Sequence, residues 1–187
     1  MRYAIKIAAG LLALAAPFST QATVGGAHYQ PQYDFDELRA FTDNKPVRVE
    51  IVGNPFPGIA VDDAARQMLP MIQAARPMRL RSIFTYDKPA ELPRPDYRLV
   101  LVFDAANDLG SASVCRGVAR HKPATPGKVN IYAVYCRNDQ PMSETTGWTD
   151  ASSPGDASVA KLYFDLLSTV FSDAQGLRPQ NGGGDRR

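Results

Sequence analysis

Two segments of the chain are apolar on both of their alternating faces, and they predict the centre of the fold. Residues 97–104 (YRLVLVFD) place four apolar side chains on one face and two valines on the other, and residues 129–136 (VNIYAVYC) repeat that character. A strand that is apolar on both faces is typical of a sheet covered on both sides. We therefore predict two neighbouring central strands, joined by a long polar loop at residues 105–128.

Other segments alternate apolar and polar residues and predict half-buried strands. Residues 47–53 (VRVEIVG) and 79–86 (RLRSIFTY) follow this pattern, and residues 143–149 (SETTGWT) read as an edge strand that carries the single tryptophan. The prolines between 89 and 95 argue against a helix in that connection, so 79–86 and 97–104 are predicted to form an antiparallel hairpin. The Gly-rich residues 23–31 are expected to be a mobile lead-in.

Helical spacing of apolar residues predicts two main helices and a short one at 33–41. Asp62 or Asp63 is expected to cap the first main helix, which should kink or stop early at Pro70. The last helix has Ser153 as its expected N-cap and Pro154 at its first helical position. Its apolar stripe is Val159, Leu162, Leu166 and Val170.

This order of elements favours an α+β fold, which we predict as a two-layer sandwich with a mostly antiparallel sheet of four to five strands and two main helices. Residues 23–175 are long enough for one domain with a real core and too short for two. Residues 176–187 (GLRPQNGGGDRR) contain little apolar surface to bury and are expected to form a disordered tail.

Residues 1–22 have the pattern of a signal peptide. Arg2 and Lys6 precede an apolar run at 7–16, and Thr20-Gln21-Ala22 supplies small residues for cleavage after Ala22. The apolar run is shorter than the roughly 20 residues that a membrane span needs. It therefore predicts no membrane span. No cysteine lies at the cleavage site, so no lipid anchor is expected either. The protein is predicted to be periplasmic or secreted.

Charge argues against a nucleic-acid partner. The chain has 21 basic and 19 acidic residues, and removing Arg2 and Lys6 leaves 21 − 2 = 19 of each. A mature chain without net charge offers no general attraction to nucleic acid or to an anionic membrane surface. The expected partner is therefore a protein or a small molecule of the cell envelope.

The two cysteines, Cys115 and Cys136, are predicted to form a disulfide. An exported chain with an even number of cysteines favours a structural bridge, because the periplasm is oxidising. A reactive thiol and a metal-binding pair are the competing interpretations, but the chain has only two histidines and no CxxC motif.

Two short motifs carry a resemblance. The GNPF segment at 53–56 and the VYCRND segment at 134–139, which is followed by Ser143 and Glu144, resemble a group of small exported proteins of Gram-negative bacteria with no assigned function. The resemblance spans most of residues 23–187. It implies an envelope location and a shared fold, and it implies no catalytic residue.

Candidate chemistry is sparse. There is no GxSxG motif, and a Cys115/His121 thiol pair would compete with the disulfide. Asp104, Asn107 and Asp108 could offer oxygen ligands to a weak calcium or magnesium site, although turns also use these residue types. We therefore predict no cofactor, no metal and no catalytic residue, and an enzyme is the less favoured class.

The remaining candidates form a predicted binding surface made of Tyr132, Tyr135, Arg137, Asp139 and Trp148. Aromatic side chains there would cover the sheet or bind a partner. The function expected from the sequence is that of a non-catalytic periplasmic binding protein or an accessory protein of envelope assembly. A small periplasmic hydrolase that uses the 105–128 loop is the alternative, and a structural domain of a larger assembly is the third.

Overall fold

The computed structural model describes residues 21–88 and 95–174, which form seven strands and four helices. The strands are β1 (Ala22–Val24), β2 (His28–Tyr29), β3 (Pro46–Val52), β4 (Ile83–Thr85), β5 (Tyr97–Phe103), β6 (Lys128–Arg137) and β7 (Gln140–Asp150). The helices are α1 (Phe35–Thr42), α2 (Val61–Ala74), α3 (Ser111–Cys115) and α4 (Ala157–Val170).

All seven strands belong to one mixed sheet. Its order is β1-β7-β6-β5-β3-β4, and β2 also pairs with β7. Strand β3 is parallel to both β4 and β5, whereas the pairs β5/β6, β6/β7, β1/β7 and β2/β7 are antiparallel. The predicted mixture of helices and strands is confirmed. The sheet has seven strands where four to five were predicted, and two of its strand pairs are parallel.

The predicted hairpin between 79–86 and 97–104 is wrong. Strand β3 lies between β4 and β5, and α2 is the crossover that brings the chain from β3 to the parallel β4. The strand is also shorter than predicted, because only Ile83–Thr85 pairs. Residues 89–94 of the connection between β4 and β5, with Pro89 and Pro93, lie outside the described residues.

The N-terminal lead-in is ordered by pairing with β7. Thr23 is in register with Trp148, and His28 with Glu144. Strand β7 is therefore not the edge strand that the sequence predicts, since β6 lies on one side of it and β1 on the other. Its pairing partners on the β1 side are more than 110 residues away in the chain, so no local pattern could indicate them.

One face of the sheet carries the main core. All seven residues of β5 are buried, and Leu99 and Leu101 belong to the same cluster as Leu162 and Leu166 of α4. Helices α1 and α2 add Phe35, Leu38, Met68 and Ile72 to it. Gly147 allows α4 to approach closely, because a Cβ there would lie 2.9 Å from Leu162 Cδ1. The predicted packing of the last helix on the sheet is confirmed, and the helix lies mainly over β7, β1 and β6.

The other face is covered in part by the loop between β5 and β6. Val100, Val102 and Val134 pack there against Val114 and Cys115 of α3. The disulfide between Cys115 and Cys136 is present, with Cα atoms 5.6 Å apart, inside the range that bridged cysteines require. The predicted bridge is confirmed, and it fixes α3 to β6.

Two helix boundaries differ from the sequence prediction. Helix α2 starts at Val61 and continues past Pro70 to Ala74, so the expected early stop at the proline is wrong. Pro70 is exposed while Met68 and Ile72 are buried, which indicates that packing holds the helix together across the missing hydrogen bond. Helix α4 begins at Ala157 with Asp156 as N-cap, because residues 152–155 form a turn in which Asp156 Oδ2 accepts from Ser153 N.

Residues 1–20 of the predicted signal segment and the predicted tail at 176–187 lie outside the described residues. Among residues 21–88 and 95–174, no helix has the length and apolar character to cross a membrane.

Candidate functional site

A groove of about 590 Å³ opens on the sheet face opposite α1, α2 and α4. Strands β1, β6 and β7 form its floor, and two pieces of the β5–β6 loop form its wall. Most of the lining surface is apolar, with polar atoms at fixed points. The lining residues are Thr23, Gly25, Asp104, Ala105, Lys122, Pro123, Thr125, Asn130, Ile131, Tyr132, Thr146, Gly147 and Trp148.

Two of the predicted surface aromatics meet in this groove. Trp148 pairs with Asn130 across β6 and β7, and Tyr132 pairs with Thr146, so alternation along the strands places all four on one face. The Trp148 side chain is 42% exposed, and Lys128 Nζ lies 5.4 Å from its ring centroid. The ring therefore makes a cation–π contact with Lys128, and part of it remains exposed to solvent.

Tyr132 forms a fixed part of the same floor. Its hydroxyl donates a 2.5 Å hydrogen bond to Glu144 Oε2, and the side chain is half-buried. Burial and this carboxylate together raise the pKa of Tyr132 above that of a free tyrosine. The hydroxyl stays protonated at neutral pH, so Tyr132 contributes its ring rather than a charge.

Asp104 is the most unusual group of the groove. The residue is only 6% exposed, and its Oδ1 accepts a 2.8 Å hydrogen bond from the Asn130 amide. Its other oxygen, Oδ2, is buried and has no hydrogen-bond partner within the described ranges. The backbone at Asp104 is in the left-handed region with φ of 47°, which favours glycine, asparagine and aspartate over other residues.

The loop wall is built by pairing of the chain on either side of α3. Lys122 N donates to the Asp104 carbonyl at 2.7 Å, and Ala106 N donates to the Arg120 carbonyl at 3.0 Å. An isolated bridge between Ala105 and His121 joins these contacts. The long loop is therefore locally structured, and the disulfide holds the α3 segment that lies between its two paired arms.

The GNPF motif at 53–56 lies against this wall, next to Phe103 and His121. Gly53 has φ of +80°, and a Cβ there would lie 2.9 Å from the Phe103 carbonyl oxygen and 3.3 Å from His121 Cγ. Asn54 Oδ1 accepts from Phe56 N, which closes the turn. The glycine is required because the chain after β3 approaches Phe103 and His121 closely, so the role of the motif here is structural.

The other three residues of the predicted binding surface lie elsewhere. Tyr135 is 2% exposed and belongs to the core on the helix face, and burial raises the pKa of its phenol. Asp139 is exposed in the β6–β7 turn, and with Arg137 it lines a separate cleft of about 370 Å³. The five residues therefore do not form one surface, because alternation along β6 sends Tyr132 and Tyr135 to opposite faces.

Arg137 ties α1 to the sheet. Its Nη1 lies 2.8 and 2.7 Å from the two carboxylate oxygens of Glu37, and the Tyr97 hydroxyl donates to Glu37 Oε1 at 2.8 Å. Burial and the Glu37 carboxylate raise the pKa of Tyr97. Glu37 therefore accepts hydrogen bonds from two elements of the sheet, β5 and β6.

Replacing Glu37 by alanine is expected to lower the free energy of unfolding by about 1.5–3 kcal/mol, because it leaves a partly buried guanidinium and a phenol without their acceptor. Urea denaturation measures the change. The neighbouring Asp36 is 70% exposed in its ion pairs, so Asp36→Ala serves as the control and should change stability by less than about 0.5 kcal/mol. Equal effects of the two substitutions would contradict the assigned role of Glu37.

The catalytic and metal candidates do not come together. The Cys115 sulfur is in the disulfide, and His121 Nδ1 lies 3.1 Å from the carbonyl of Lys122. Asn107 Oδ1 accepts from Lys122 Nζ, and Asp108 pairs with Arg120. Neither residue lines the groove that Asp104 lines. In the part of the chain that the structure describes, no group of three or more His, Cys, Asp or Glu residues could hold a metal ion.

Sequence reasoning named Trp148 and Tyr132 as surface residues. It considered Asp104 as a weak metal ligand or a turn residue and favoured the turn, and it did not name Thr23, Asn130 or Thr146 as functional residues. The available signal was the polar Asn130 in an otherwise apolar strand. A polar residue at such a position needs a partner, and here the partner is the carboxylate at the end of β5.

No protein-family model and no curated protein sequence matches this chain. Among solved structures, a single-substitution variant of the PelC dodecamer from Paraburkholderia phytofirmans is 15% identical with a TM-score of 0.40, covering 81% of this chain and 95% of that chain. Another PelC dodecamer structure from the same organism is 14% identical with a TM-score of 0.38, covering 81% and 96%. Similarity at this level carries no conclusion about fold or function.

Proposed function

We propose that this protein is a non-catalytic ligand-binding protein of the bacterial envelope, and that the groove beside Asp104 and Trp148 is its binding site. The observation that carries the proposal is the buried, unpartnered Oδ2 of Asp104 in the wall of an aromatic groove. A buried acceptor without a partner lowers stability, and native proteins keep few of them away from functional sites. A ligand that donates a hydrogen bond here would satisfy it.

The shape of the groove supports a small ligand or the end of a longer one. Its volume of about 590 Å³ is within the range of small-molecule sites. It combines an apolar aromatic surface with a few convergent polar groups, which is the usual composition of a binding pocket. The hydrolase alternative has less support, because the disulfide occupies the only nucleophilic sulfur in the loop.

A periplasmic or secreted location is part of the proposal. A disulfide is compatible with an oxidising compartment, and residues 1–22 have the composition of a signal peptide. An accessory role in envelope assembly would use the same groove for part of a larger partner. We expect the partner to be a protein or a small molecule of the envelope.

Exported protein is expected to begin at Thr23, which leaves 187 − 22 = 165 residues. Cleavage after Ala22 would shorten β1 by the residue that pairs with Thr149 and would keep the pairing of Thr23 with Trp148. Intact mass and N-terminal sequencing of periplasmic material measure the start. A mature species that retains Arg2 would contradict the prediction.

The substitution Asp104→Asn is expected to leave the thermal unfolding midpoint of the ligand-free protein unchanged or higher. Asparagine keeps an acceptor for Asn130 and tolerates the left-handed backbone, and it removes a buried charge. Binding sites commonly hold groups whose removal stabilises the fold. Differential scanning calorimetry measures the midpoint. A clear decrease would mean that Asp104 serves the fold and would count against the binding role.

Ligand binding itself can be followed by fluorescence, because Trp148 is the only tryptophan. The panel consists of amino acids, short peptides, sugars, alkylamines, alkanols and dicarboxylates, each titrated into the wild-type protein and into Asp104→Asn. We expect at least one compound to shift the Trp148 emission in a saturable manner, with weaker binding to the variant. A panel without any saturable change would overturn the proposed function.

A further inference from the structure

The carboxylate of Asp104 lacks a cationic partner. Among residues 21–88 and 95–174 it takes part in no ion pair, and its one hydrogen-bond donor through the side chain is the neutral amide of Asn130. Buried carboxylates in proteins are normally paired with a cation or bound to several donors. A positively charged hydrogen-bond donor would satisfy this carboxylate.

The basic residues nearby are committed to other groups. Lys122 Nζ donates to Asn107 Oδ1 at 2.9 Å, Arg120 pairs with Asp108 at 2.9 Å, and Lys128 Nζ lies over the ring of Trp148. The backbone of Asp104 is also fixed, because its N donates to the Asn130 carbonyl and its carbonyl accepts from Lys122 N. The carboxylate is held in place while the protein's own cations point elsewhere.

The surroundings of Oδ2 limit the size of the donor. This oxygen has almost no exposed surface, so a ligand reaches it only if the Asp104 side chain turns toward the groove. A terminal primary ammonium is narrow and has N–H groups to donate, whereas a quaternary ammonium is too wide and has no N–H to donate. The remaining surface of the groove is mainly apolar and includes the rings of Tyr132 and Trp148. An unbranched apolar stem would pack along these rings.

The position of the carboxylate fixes the direction of such a ligand, because Asp104 is the one acidic residue in the described part of the chain that lines the groove. The ammonium of Lys128 already lies near the Trp148 ring, at 5.4 Å from its centroid, so a second cation is disfavoured at that end. The ligand head would therefore lie at Asp104 and its stem would extend toward Trp148. We infer that the groove binds a primary alkylammonium group, with Asp104 Oδ2 as the acceptor of its charge; this inference rests on the proposed function of the groove.

The test compares n-hexylammonium with n-hexanol, which has the same stem and a neutral head, and with hexyltrimethylammonium, which has the same charge and a wide head. Trp148 emission reports binding in each titration. We expect n-hexylammonium to bind about 10-fold to 100-fold more tightly than the other two, the difference associated with one hydrogen bond to a charged group. Asp104→Asn should remove this preference.

A matched control is available in the same loop. Asp108 is exposed, does not line the groove and pairs with Arg120, so Asp108→Asn should bind n-hexylammonium as the wild type does.

Equal binding of n-hexylammonium and n-hexanol would overturn the inference and leave the groove as an apolar binding site. Unchanged n-hexylammonium affinity in Asp104→Asn would overturn it as well. Saturable binding of only neutral or anionic panel compounds would overturn the inference while the proposed function stands, and no binding by any compound would overturn both.

Discussion

Replacing Leu101 by alanine is expected to lower the free energy of unfolding by about 2–5 kcal/mol. Leu101 is fully buried at the centre of β5, in the cluster that also contains Leu162 and Leu166 of α4. Truncation removes apolar contacts and leaves a cavity that a strand bonded on both sides cannot collapse to fill. Urea denaturation with a two-state fit measures the loss as a lower midpoint at an unchanged slope.

Two further substitutions make this experiment specific. Leu166→Ala should show a loss of similar size, because it removes the α4 side of the same cluster. Met78 is 97% exposed, so Met78→Ala is the control and should change stability by less than about 0.5 kcal/mol. If the leucine variants unfolded at the wild-type midpoint, the assignment of β5 and α4 to one buried core would be wrong.

Loss of the disulfide is expected to lower the free energy of unfolding by about 3 kcal/mol, the value that the chain-entropy model gives for a loop of this size. Cys115 and Cys136 are 21 residues apart in the chain. The double variant Cys115→Ser, Cys136→Ser tests the effect without a reductant. Mass spectrometry of the untreated wild type must first show the bridge, and two free thiols in periplasmic material would contradict it.

The bridge and Arg98 hold the loop at neighbouring points. The Arg98 guanidinium donates to the carbonyl of Cys115 and, at 2.6 Å, to the carbonyl of Asn138, and it is paired with Asp96. Without the disulfide the α3 segment remains attached only by non-covalent contacts, the hydrogen bond from Arg98 and the packing of Val114 on the sheet. We therefore expect limited proteolysis to cut first within residues 105–128 of the double variant, before the rest of the domain is degraded.

This loop also forms a wall of the groove, so the two properties are linked. Lys122, Pro123 and Thr125 line the groove, and they lie on the chain between the two cysteines. Loss of the bridge should weaken any saturable change in Trp148 emission as well as stability. Proteolysis that begins in β1 or α4 instead would show that the bridge does not order the loop.

The sequence by itself determined the features that depend on local periodicity and composition. The two-sided apolar pattern of β5 and β6 marks the centre of the sheet, because only a strand covered on both faces uses it. The spacing of Leu162 and Leu166 marks the buried face of α4. The cysteine count in a chain with a signal-like start predicts the disulfide, since both pieces of information are readable without knowing the fold.

The tertiary structure decided which strands are neighbours. The pairing of β1 with β7, and the position of β3 between β4 and β5, depend on hydrogen bonds between residues far apart in the chain. Backbone hydrogen bonds carry no side-chain signature, so a three-residue strand such as Ala22–Val24 cannot be recognised until its partner is known. The same reason made the predicted hairpin between 79–86 and 97–104 wrong.

The composition of the candidate site depends almost entirely on the tertiary structure. Trp148 and Tyr132 share a face because of the register between β6 and β7, and Tyr135 leaves that face because side chains alternate along β6. Asp104 reads as a turn residue in the sequence. It becomes a site residue because the fold buries its carboxylate beside Asn130 and leaves Oδ2 without a partner, and burial of one atom is a property that only the packed structure has.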